Sequence, residues 1–198
     1  QGGGLDALRI ERFLIVPPWE RMVFTEGLIR ILLDPGVVFG NGLHPTTRDC
    51  LRAIACSHGQ SPFSSVLDLG TGTGVLALAV AFLGAERVLA ADLNPLCVRT
   101  VNKNVRLNGL EEIIDVVEGP AEDFFDEPAD LVVANIHHAV IRDLLERRVF
   151  RKKDRVIISG LMRSQARDVR AQLEKCQLEI LREWDHDMTW FTFLAEIG

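Results

Sequence analysis

The chain has 198 residues, a length that fits one globular domain or one domain with a short extension. With 47% hydrophobic and 25% charged residues, the composition excludes a disordered or fibrous protein. The longest apolar run, 74–84, is far shorter than the roughly 20 residues that a bilayer span needs. The formal net charge of −6 argues against a main partner that is nucleic acid, because proteins that bind it usually carry a basic excess.

The cysteines bear on the cellular compartment. No two of them form a Cys-x-x-Cys pair, and each lies in an apolar stretch (Cys50, Cys56, Cys97 and Cys176). This usage predicts four buried thiols in a reducing compartment, and not a disulfide framework or a zinc site. We therefore expect a cytoplasmic protein with no membrane partner.

The first 45 residues differ in pattern from the rest of the chain. Residues 9–16 predict a strand, which two prolines end, and residues 34–36 predict a turn. Residues 37–39 predict a short strand before a polar, glycine-bearing loop at 40–44. A helix should follow this loop, with Thr46 as its N-cap and Asp49 as a weaker capping-box partner.

From residue 65 onward, short apolar strands alternate with amphipathic helices. The predicted strands are 66–69, 87–91, 113–117, 131–134 and 156–159, and the predicted helices are 74–83, 95–108, 137–150 and 163–173. Such alternation predicts an α/β fold with a parallel sheet that helices cover on both faces. The last two strands, 178–184 and 189–195, have no helix between them and should form an antiparallel hairpin at one end of the sheet.

The strongest local signal is the run Asp68-Leu69-Gly70-Thr71-Gly72-Thr73-Gly74, where a strand ends in glycines before a helix. Glycines permit a tight turn, and the helix N-terminus offers free N–H groups to a carboxylate or phosphate. The spacing Gly72-x-Gly74-x-x-Ala77 also satisfies the dinucleotide fingerprint. Asp92 follows Gly72 by about 20 positions, where an acidic residue holds ribose hydroxyls in either kind of site.

Two polar residues favour S-adenosylmethionine over a dinucleotide. A carboxylate at Asp68 is unfavourable beside a pyrophosphate but favourable near the ammonium and sulfonium groups of S-adenosylmethionine. Asn135 follows the strand 131–134, and open α/β sheets bind ligands outside the carboxyl ends of their strands. Asp68, Asp92 and Asn135 should therefore surround one crevice. Taken singly, Asp92 and Asn135 are also typical of residues that cap the next helix.

A longer motif makes the assignment more specific. The segment Phe39-Gly40-Asn41-Gly42-Leu43-His44-Pro45-Thr46-Thr47 resembles the F-G-T-G-x-H-P-T-T signature of the methyltransferases that modify large-subunit ribosomal protein L-eleven, the PrmA family. Further segments are similar to that family: 14–19, 33–36, the glycine-rich loop, 134–136, 159–161 and the strand around Trp190. The resemblance extends over roughly residues 10–197.

The resemblance implies a Rossmann-like, doubly wound fold of class I methyltransferases, with a seven-stranded, mostly parallel sheet. Residues 1–45 would be a linker with short strands, and 46–198 the S-adenosylmethionine-binding domain. The family also carries an N-terminal domain that grips the ribosomal protein, whereas this chain starts at the linker. The sequence departs from the family at Asn41, where the family has Thr, and at 147–155. There a basic run, interpreted as a solvated helix end or a docking patch for an acidic partner, replaces a Pro/Gly turn.

The resemblance also implies roles for individual residues. Phe39, His44 and Thr46 would cover the cofactor as a lid. Gly70 and Gly72 would contact its methionine part, and Asp92 would hold its ribose. Asn135 would face the methyl group and the acceptor, and is the expected catalytic residue. Because Pro120 stands where many relatives are acidic, the backbone of Ala121 or the side chain of Glu122 should flank the adenine. The expected cofactor-binding residues are Phe39, His44, Thr46, Asp68, Gly70, Thr71, Gly72, Asp92, Ala121 and Asn135.

The expected function is therefore S-adenosylmethionine-dependent methylation of lysine or amino groups in a protein, such as a ribosomal protein. A small-molecule methyltransferase, an NAD-dependent oxidoreductase and a non-catalytic binding module remain alternatives. Trp190 would either wall the acceptor pocket or pack in the core. No metal site is expected at His137-His138, because adjacent helical residues face different directions.

Overall fold

The computed structural model describes residues 7–20, 26–40, 42–147 and 153–197, and within them the chain forms two β-sheets. A three-stranded sheet contains β1 (Leu8–Ile10), β2 (Phe13–Val16) and β3 (Ile29–Leu32). A seven-stranded sheet contains β4 (Ser65–Leu69), β5 (Arg87–Asp92), β6 (Ile114–Glu118), β7 (Ala129–Asn135), β8 (Lys153–Met162), β9 (Leu178–His186) and β10 (Trp190–Ile197).

The helices of the described residues are α1 (Pro45–Gln60), α2 (Val75–Phe82), α3 (Pro95–Asn108), α4 (His138–Glu146) and α5 (Arg163–Lys175). A single 3-10 turn, Ala121–Phe124, follows β6. In this part of the chain no helix is both long and apolar enough to cross a membrane.

The strand order of the larger sheet is β6-β5-β4-β7-β8-β10-β9. Strands β4 to β8 pair in parallel, and β10 runs antiparallel to both β8 and β9. This confirms the predicted doubly wound fold and its C-terminal antiparallel hairpin. After β4 the chain builds the sheet outward through β5 and β6, then returns to the other side of β4 with β7. The order thus reverses between β4 and β7, where open α/β sheets form their binding crevice.

Alternation along each strand divides the core into two layers. In β4, Val66 faces the layer that α1, α2 and α3 cover, while Leu67 and Leu69 face the layer that α4 and α5 cover. Strand β7 alternates in the same way, with Val133 in the first layer and Val132 in the second. Both faces of the sheet are therefore buried, as the near-continuous apolar strands predicted.

The three-stranded sheet packs against the first layer, to which Phe13, Ile15 and Ile31 contribute buried side chains. The prediction of one strand over 9–16 was wrong. Glu11 has a positive φ of 51°, which turns the chain and makes β1 and β2 an antiparallel pair. The predicted strand at 37–39 was also wrong, because this segment forms a turn and a bend.

The start and end of two helices differ from the prediction. The N-cap of α1 is His44, not Thr46: the His44 ring accepts from the Thr46 N–H, and Pro45 occupies the first helical position. Helix α4 ends at Glu146, before the predicted limit of 150. Asn41 and residues 148–152 of the basic run lie outside the described residues.

The cysteines are free thiols, but they are not all buried. Cys50 and Cys97 are buried, whereas Cys56 and Cys176 are half-buried, so the prediction of four buried thiols is wrong for two of them.

Candidate active site

The crevice at the switch point brings together the three polar residues expected there. Asp68 lies near the end of β4, Asp92 ends β5 and Asn135 ends β7. Because these strands are parallel neighbours around β4, their carboxyl ends meet at one edge of the sheet. The loop between β4 and α2 closes the floor of this crevice.

At two positions of this loop, neighbouring atoms leave no room for a side chain, so glycine is required. Gly70 and Gly72 have positive φ values of 72° and 59°. A Cβ at Gly70 would lie 2.1 Å from the Ile136 side chain, and one at Gly72 would lie 2.5 Å from the Phe39 carbonyl oxygen. The loop is therefore held between the end of β7 and the segment that contains Phe39, with its backbone exposed only toward the crevice.

Asp68 is a buried carboxylate with one unsatisfied oxygen. The Thr71 hydroxyl donates to its Oδ2 atom at 2.6 Å, whereas Oδ1 is buried without a hydrogen-bond partner. Burial raises the pKa of Asp68 to about 7; the Thr71 hydroxyl and the nearby Ala77 N–H oppose this rise, and the nearby Asp92 adds to it. A cation bound near this carboxylate would stabilise its ionised form, which the hydrogen bond from Thr71 stabilises only in part.

Asp92 accepts two backbone hydrogen bonds but is not the N-cap of α3, the second role that the sequence left open. Its Oδ2 atom accepts from the Gly72 N–H, and its Oδ1 atom accepts from the Asn94 N–H, each at 2.9 Å. Asn94 in turn caps α3, since its side chain accepts from the Leu96 N–H at 2.9 Å. Asp92 also lines the crevice, so one carboxylate both fixes the glycine loop and faces the cavity.

The cavity has a wide part and a narrow part. The wide part, of about 330 Å³, lies beyond the ends of β5 and β6 and is lined mainly by apolar groups, including Leu93, Pro120, Ala121, Ile136 and Val140. The narrow part, of about 20 Å³, lies between the glycine loop, the Phe39-Gly40 segment and Asn135. Gly70 borders both parts. The wide part suits a flat, mostly apolar group, whereas the narrow part has room for about one water molecule in the ligand-free protein.

The Phe39-Gly40 segment covers the glycine loop, and we call residues 34–40 the lid. The Thr73 hydroxyl donates to the Gly40 carbonyl at 2.6 Å. The Phe39 ring is half exposed and lies 5.1 Å from the His44 ring, which lies 5.1 Å from the Trp190 ring in an edge-on arrangement. Trp190 is thus the last ring of an aromatic row that begins at Phe39 and passes through His44.

A short polar chain connects this row to Asn135. Thr46 Oγ1 lies 2.8 Å from His44 Nδ1 and accepts from Asn135 Nδ2 at 3.3 Å. The Thr46 N–H also donates to His44 Nδ1, so this nitrogen is an acceptor and carries no proton. Burial lowers the pKa of His44, and the nearby His186 adds to the effect, which favours this neutral form. The bond to Thr46 leaves Asn135 Oδ1 as the free oxygen of the amide.

Two residues that the sequence analysis did not select also belong to the site. Thr47 lines the narrow part, and its hydroxyl is buried without a hydrogen-bond partner. Asn104 is a fully buried polar residue of α3 whose side chain contacts both the lid and the glycine loop. Its position on the apolar face of the helix, next to Val101 and Val105, was the sequence signal that could have identified it.

The two adjacent histidines have separate surroundings. His137 is exposed and is the N-cap of α4. His138 Nε2 lies 3.0 Å from a carboxylate oxygen of Asp168, which is 30 residues away in the sequence. Among residues 7–20, 26–40, 42–147 and 153–197, no three His, Cys, Asp or Glu side chains are arranged to hold a metal ion.

The family model and the curated relatives that match this chain carry the same family name. Residues 7–196 match the model of the family described as ribosomal protein L11 methyltransferase (PrmA). A protein named ribosomal protein L11 methyltransferase from Anoxybacillus flavithermus is 37% identical over 190 residues, which are 94% of this chain and 60% of the relative. The protein of the same name from Myxococcus xanthus is 34% identical over 177 residues, covering 89% of this chain and 61% of the relative.

The crystal structure of a ribosomal protein L11 methylase from Lactobacillus delbrueckii subsp. bulgaricus superimposes with a TM-score of 0.84. It is 29% identical, and the match covers 97% of this chain and 98% of that one. By contrast, the chain spans only about 60% of the length of the curated relatives it matches. Since the family match covers nearly the whole sequence, the chain belongs to the ribosomal protein L11 methyltransferase (PrmA) family.

Proposed function

We propose that this chain is the catalytic part of an S-adenosylmethionine-dependent protein methyltransferase that modifies amino groups of a ribosomal protein. The observation that carries the proposal is Asp68, a buried carboxylate with an unpaired oxygen below a glycine loop at the N-terminus of α2. The methionine part of the cofactor has a carboxylate, which the helix N-terminus favours, and an ammonium, which Asp68 favours. A pyrophosphate offers no positive charge to Asp68, so an NAD-dependent reaction is disfavoured.

The remaining cofactor contacts follow from the shape of the cavity. We assign the wide part to the nucleoside and the glycine-loop side, beside Gly70, Thr71 and Gly72, to the methionine chain, for which the narrow part has to widen on binding. Asp92 would accept from the ribose hydroxyls with the lone pairs that its two backbone bonds leave free. Ala121 would lie beside the adenine, whose apolar faces suit the apolar lining.

When bound, the cofactor supplies a methyl group already activated by its sulfonium, so the protein mainly has to position and desolvate the acceptor. Asn135 suits this role because Thr46 holds its amide nitrogen and leaves Oδ1 free to accept from an amine N–H. A Cβ at Gly160 would lie 3.0 Å from that oxygen, so only glycine leaves it room.

The acceptor amine reacts only after losing a proton, since an ammonium has no lone pair. The reference pKa of a lysine ammonium is about 10.4, and an apolar environment lowers it. Phe39, His44 and Trp190 line the approach to Asn135 with rings, and His44 is held in its neutral form. None of these three side chains is a carboxylate, which would favour the protonated amine. A ribosomal protein as acceptor is supported by the names of the relatives.

The proposal is tested first by binding. S-adenosylhomocysteine should raise the melting temperature of the protein, whereas NAD at the same concentration should not. Next, purified protein is incubated with radiolabelled S-adenosylmethionine and either ribosomal protein L11 or a fraction of small metabolites. Label in the ribosomal protein, at amino groups, is the expected result. Stabilisation by NAD alone would overturn the cofactor assignment, and label confined to small molecules would overturn the acceptor.

A further inference from the structure

Two asparagines of α3 bind the backbone of the segment that leads into the lid. Asn108 accepts from the Leu32 N–H at 2.9 Å and donates to the Leu32 carbonyl at 2.7 Å. Asn104, one helical turn earlier, makes the same pair of bonds with Asp34, at 2.9 and 3.0 Å. Because β3 is an edge strand, these side-chain amides take the place of a neighbouring strand.

Asn104 makes one contact that Asn108 does not. Its amide also donates to the Thr73 carbonyl, in the glycine loop, at 2.8 Å. Both amide hydrogens of Asn104 are therefore used, one toward Asp34 and one toward Thr73, and the residue is fully buried. The second amide hydrogen of Asn108 goes instead to the Asn104 carbonyl, within the helix.

Thr73 thus holds both ends of the lid. Its carbonyl is connected to Asp34 through Asn104, and its hydroxyl donates directly to the Gly40 carbonyl. Between these two points, the Phe39 carbonyl lies against the backbone of Gly72. The glycine loop and the lid form opposite walls of the narrow part of the cavity, so their spacing fixes the width available to a ligand there.

We propose that Asn104 is a positioning residue that couples the lid to the glycine loop and thereby sets the affinity for the methionine part of the cofactor. The inference rests on the proposed function for the identity of that ligand. Without the bond from Asn104 to Thr73, the lid would stay attached to the glycine loop at Gly40, through the Thr73 hydroxyl, but its Asp34 end would lose its fixed distance from the loop. The ligand would then have to order the lid on binding, which weakens affinity.

A second set of contacts holds the start of the lid, at residues 34–36, on its exposed side. Lys103 pairs with the Asp34 carboxylate, which also accepts from the Gly36 N–H at 3.0 Å. The Lys103 side chain is mostly exposed, and exposed ion pairs contribute little to stability. These contacts bind the lid to itself and to α3, but they do not reach the glycine loop, so they do not replace Asn104.

The matched variants are Asn104→Leu and Asn108→Leu. Leucine has a similar size, and each substitution removes one amide pair to the β3 segment, but only the first removes the bond to Thr73. Titration calorimetry with S-adenosylhomocysteine should give a Kd about tenfold higher for Asn104→Leu, the effect of one buried hydrogen bond, and within about twofold of wild type for Asn108→Leu. Both variants are titrated well below their melting temperatures, measured by circular dichroism, because a reversibly unfolded fraction would itself raise the apparent Kd.

The coupling itself is measured without any ligand. In hydrogen exchange followed by mass spectrometry, residues 34–40 should exchange faster in Asn104→Leu than in Asn108→Leu. Equal exchange and equal Kd values in the two variants would overturn the inference. If the wild type fails to bind S-adenosylhomocysteine but the exchange difference is present, the cofactor assignment fails while the coupling stands. Thr73→Val removes the other connection, the hydroxyl bond to the Gly40 carbonyl, so residues 34–40 should exchange faster in the double variant Asn104→Leu, Thr73→Val than in either single variant.

Discussion

The negative charge of Asp68 should lower the free energy of unfolding of the ligand-free protein, although the same charge favours binding of the cofactor. Its pKa is raised from 3.8 to about 7 by burial, so the stability it contributes is fully present below pH 3.8 and is lost as the pH rises through about 7. Replacing it with asparagine removes the titration but keeps an oxygen for the Thr71 hydroxyl. The comparison of wild type and Asp68→Asn therefore isolates the cost of ionising a buried carboxylate.

The magnitude follows from the shift in pKa. At 1.36 kcal/mol per pKa unit, the raised pKa destabilises the folded protein relative to the unfolded chain, where Asp68 ionises freely, by about 2 kcal/mol at pH 5 and about 4 kcal/mol at pH 8. The wild type should thus lose roughly 2 to 3 kcal/mol relative to Asp68→Asn between these two pH values. For a chain of this size, this corresponds to a relative change in melting temperature of about 5–10 °C. Any constant penalty from the new amide cancels in the difference.

The assay is thermal and urea unfolding of both proteins at pH 5 and pH 8, without ligand. Asp115→Asn serves as the control, because Asp115 is an exposed aspartate of β6. In the same proteins, the affinity for S-adenosylhomocysteine should fall at least about tenfold in Asp68→Asn. The affinity for 5′-methylthioadenosine, which lacks the amino acid group, should not change. A stability difference independent of pH, or equal losses for both ligands, would refute the account of Asp68.

The remaining predictions concern three other positions. Asp92→Ala should abolish binding of S-adenosylhomocysteine in calorimetry while circular dichroism shows a folded domain; unchanged affinity would exclude Asp92 from the ribose site. Asn135→Ala should keep cofactor affinity within a few-fold but lose methyl transfer, and full activity on the proper acceptor would remove Asn135 from catalysis. Arg155→Met should lower the free energy of unfolding by about 3 kcal/mol, because the buried guanidinium donates to the Ser57 and Ser61 carbonyls that end α1. A loss below about 1 kcal/mol in urea unfolding would contradict that role, and cofactor affinity of the folded protein should not change.

Local errors in the sequence analysis have identifiable causes. Thr46 has the side chain of a good N-cap, but Pro45 prefers the first helical position, which shifts the cap to His44. Residues 37–39 are apolar enough for a strand, yet Val37 and Phe39 are exposed and the segment pairs with no strand. Its conformation is set instead by the bond from Thr73 to Gly40. In both places a specific contact overrides the average preference of the residue types.

The sequence by itself determined the larger architecture. Alternating apolar strands and amphipathic helices can bury both faces of a sheet only in a doubly wound arrangement, and the glycines after β4 required a close approach of backbone there. Because parallel strands end at one edge of the sheet, the meeting of Asp68, Asp92 and Asn135 also followed from their positions at strand ends. These features depend on local periodicity, which a single sequence contains.

Only the tertiary structure decided how the parts of the site are connected. The unpaired oxygen of Asp68, the chain from His44 through Thr46 to Asn135, and the bridge from Asn104 to both Asp34 and Thr73 join residues far apart in sequence. An asparagine in a helix has the same local preferences whether it faces water or a carbonyl group. Its partner is fixed by the packing of α3 against the lid and the glycine loop, and that packing exists only in the folded chain.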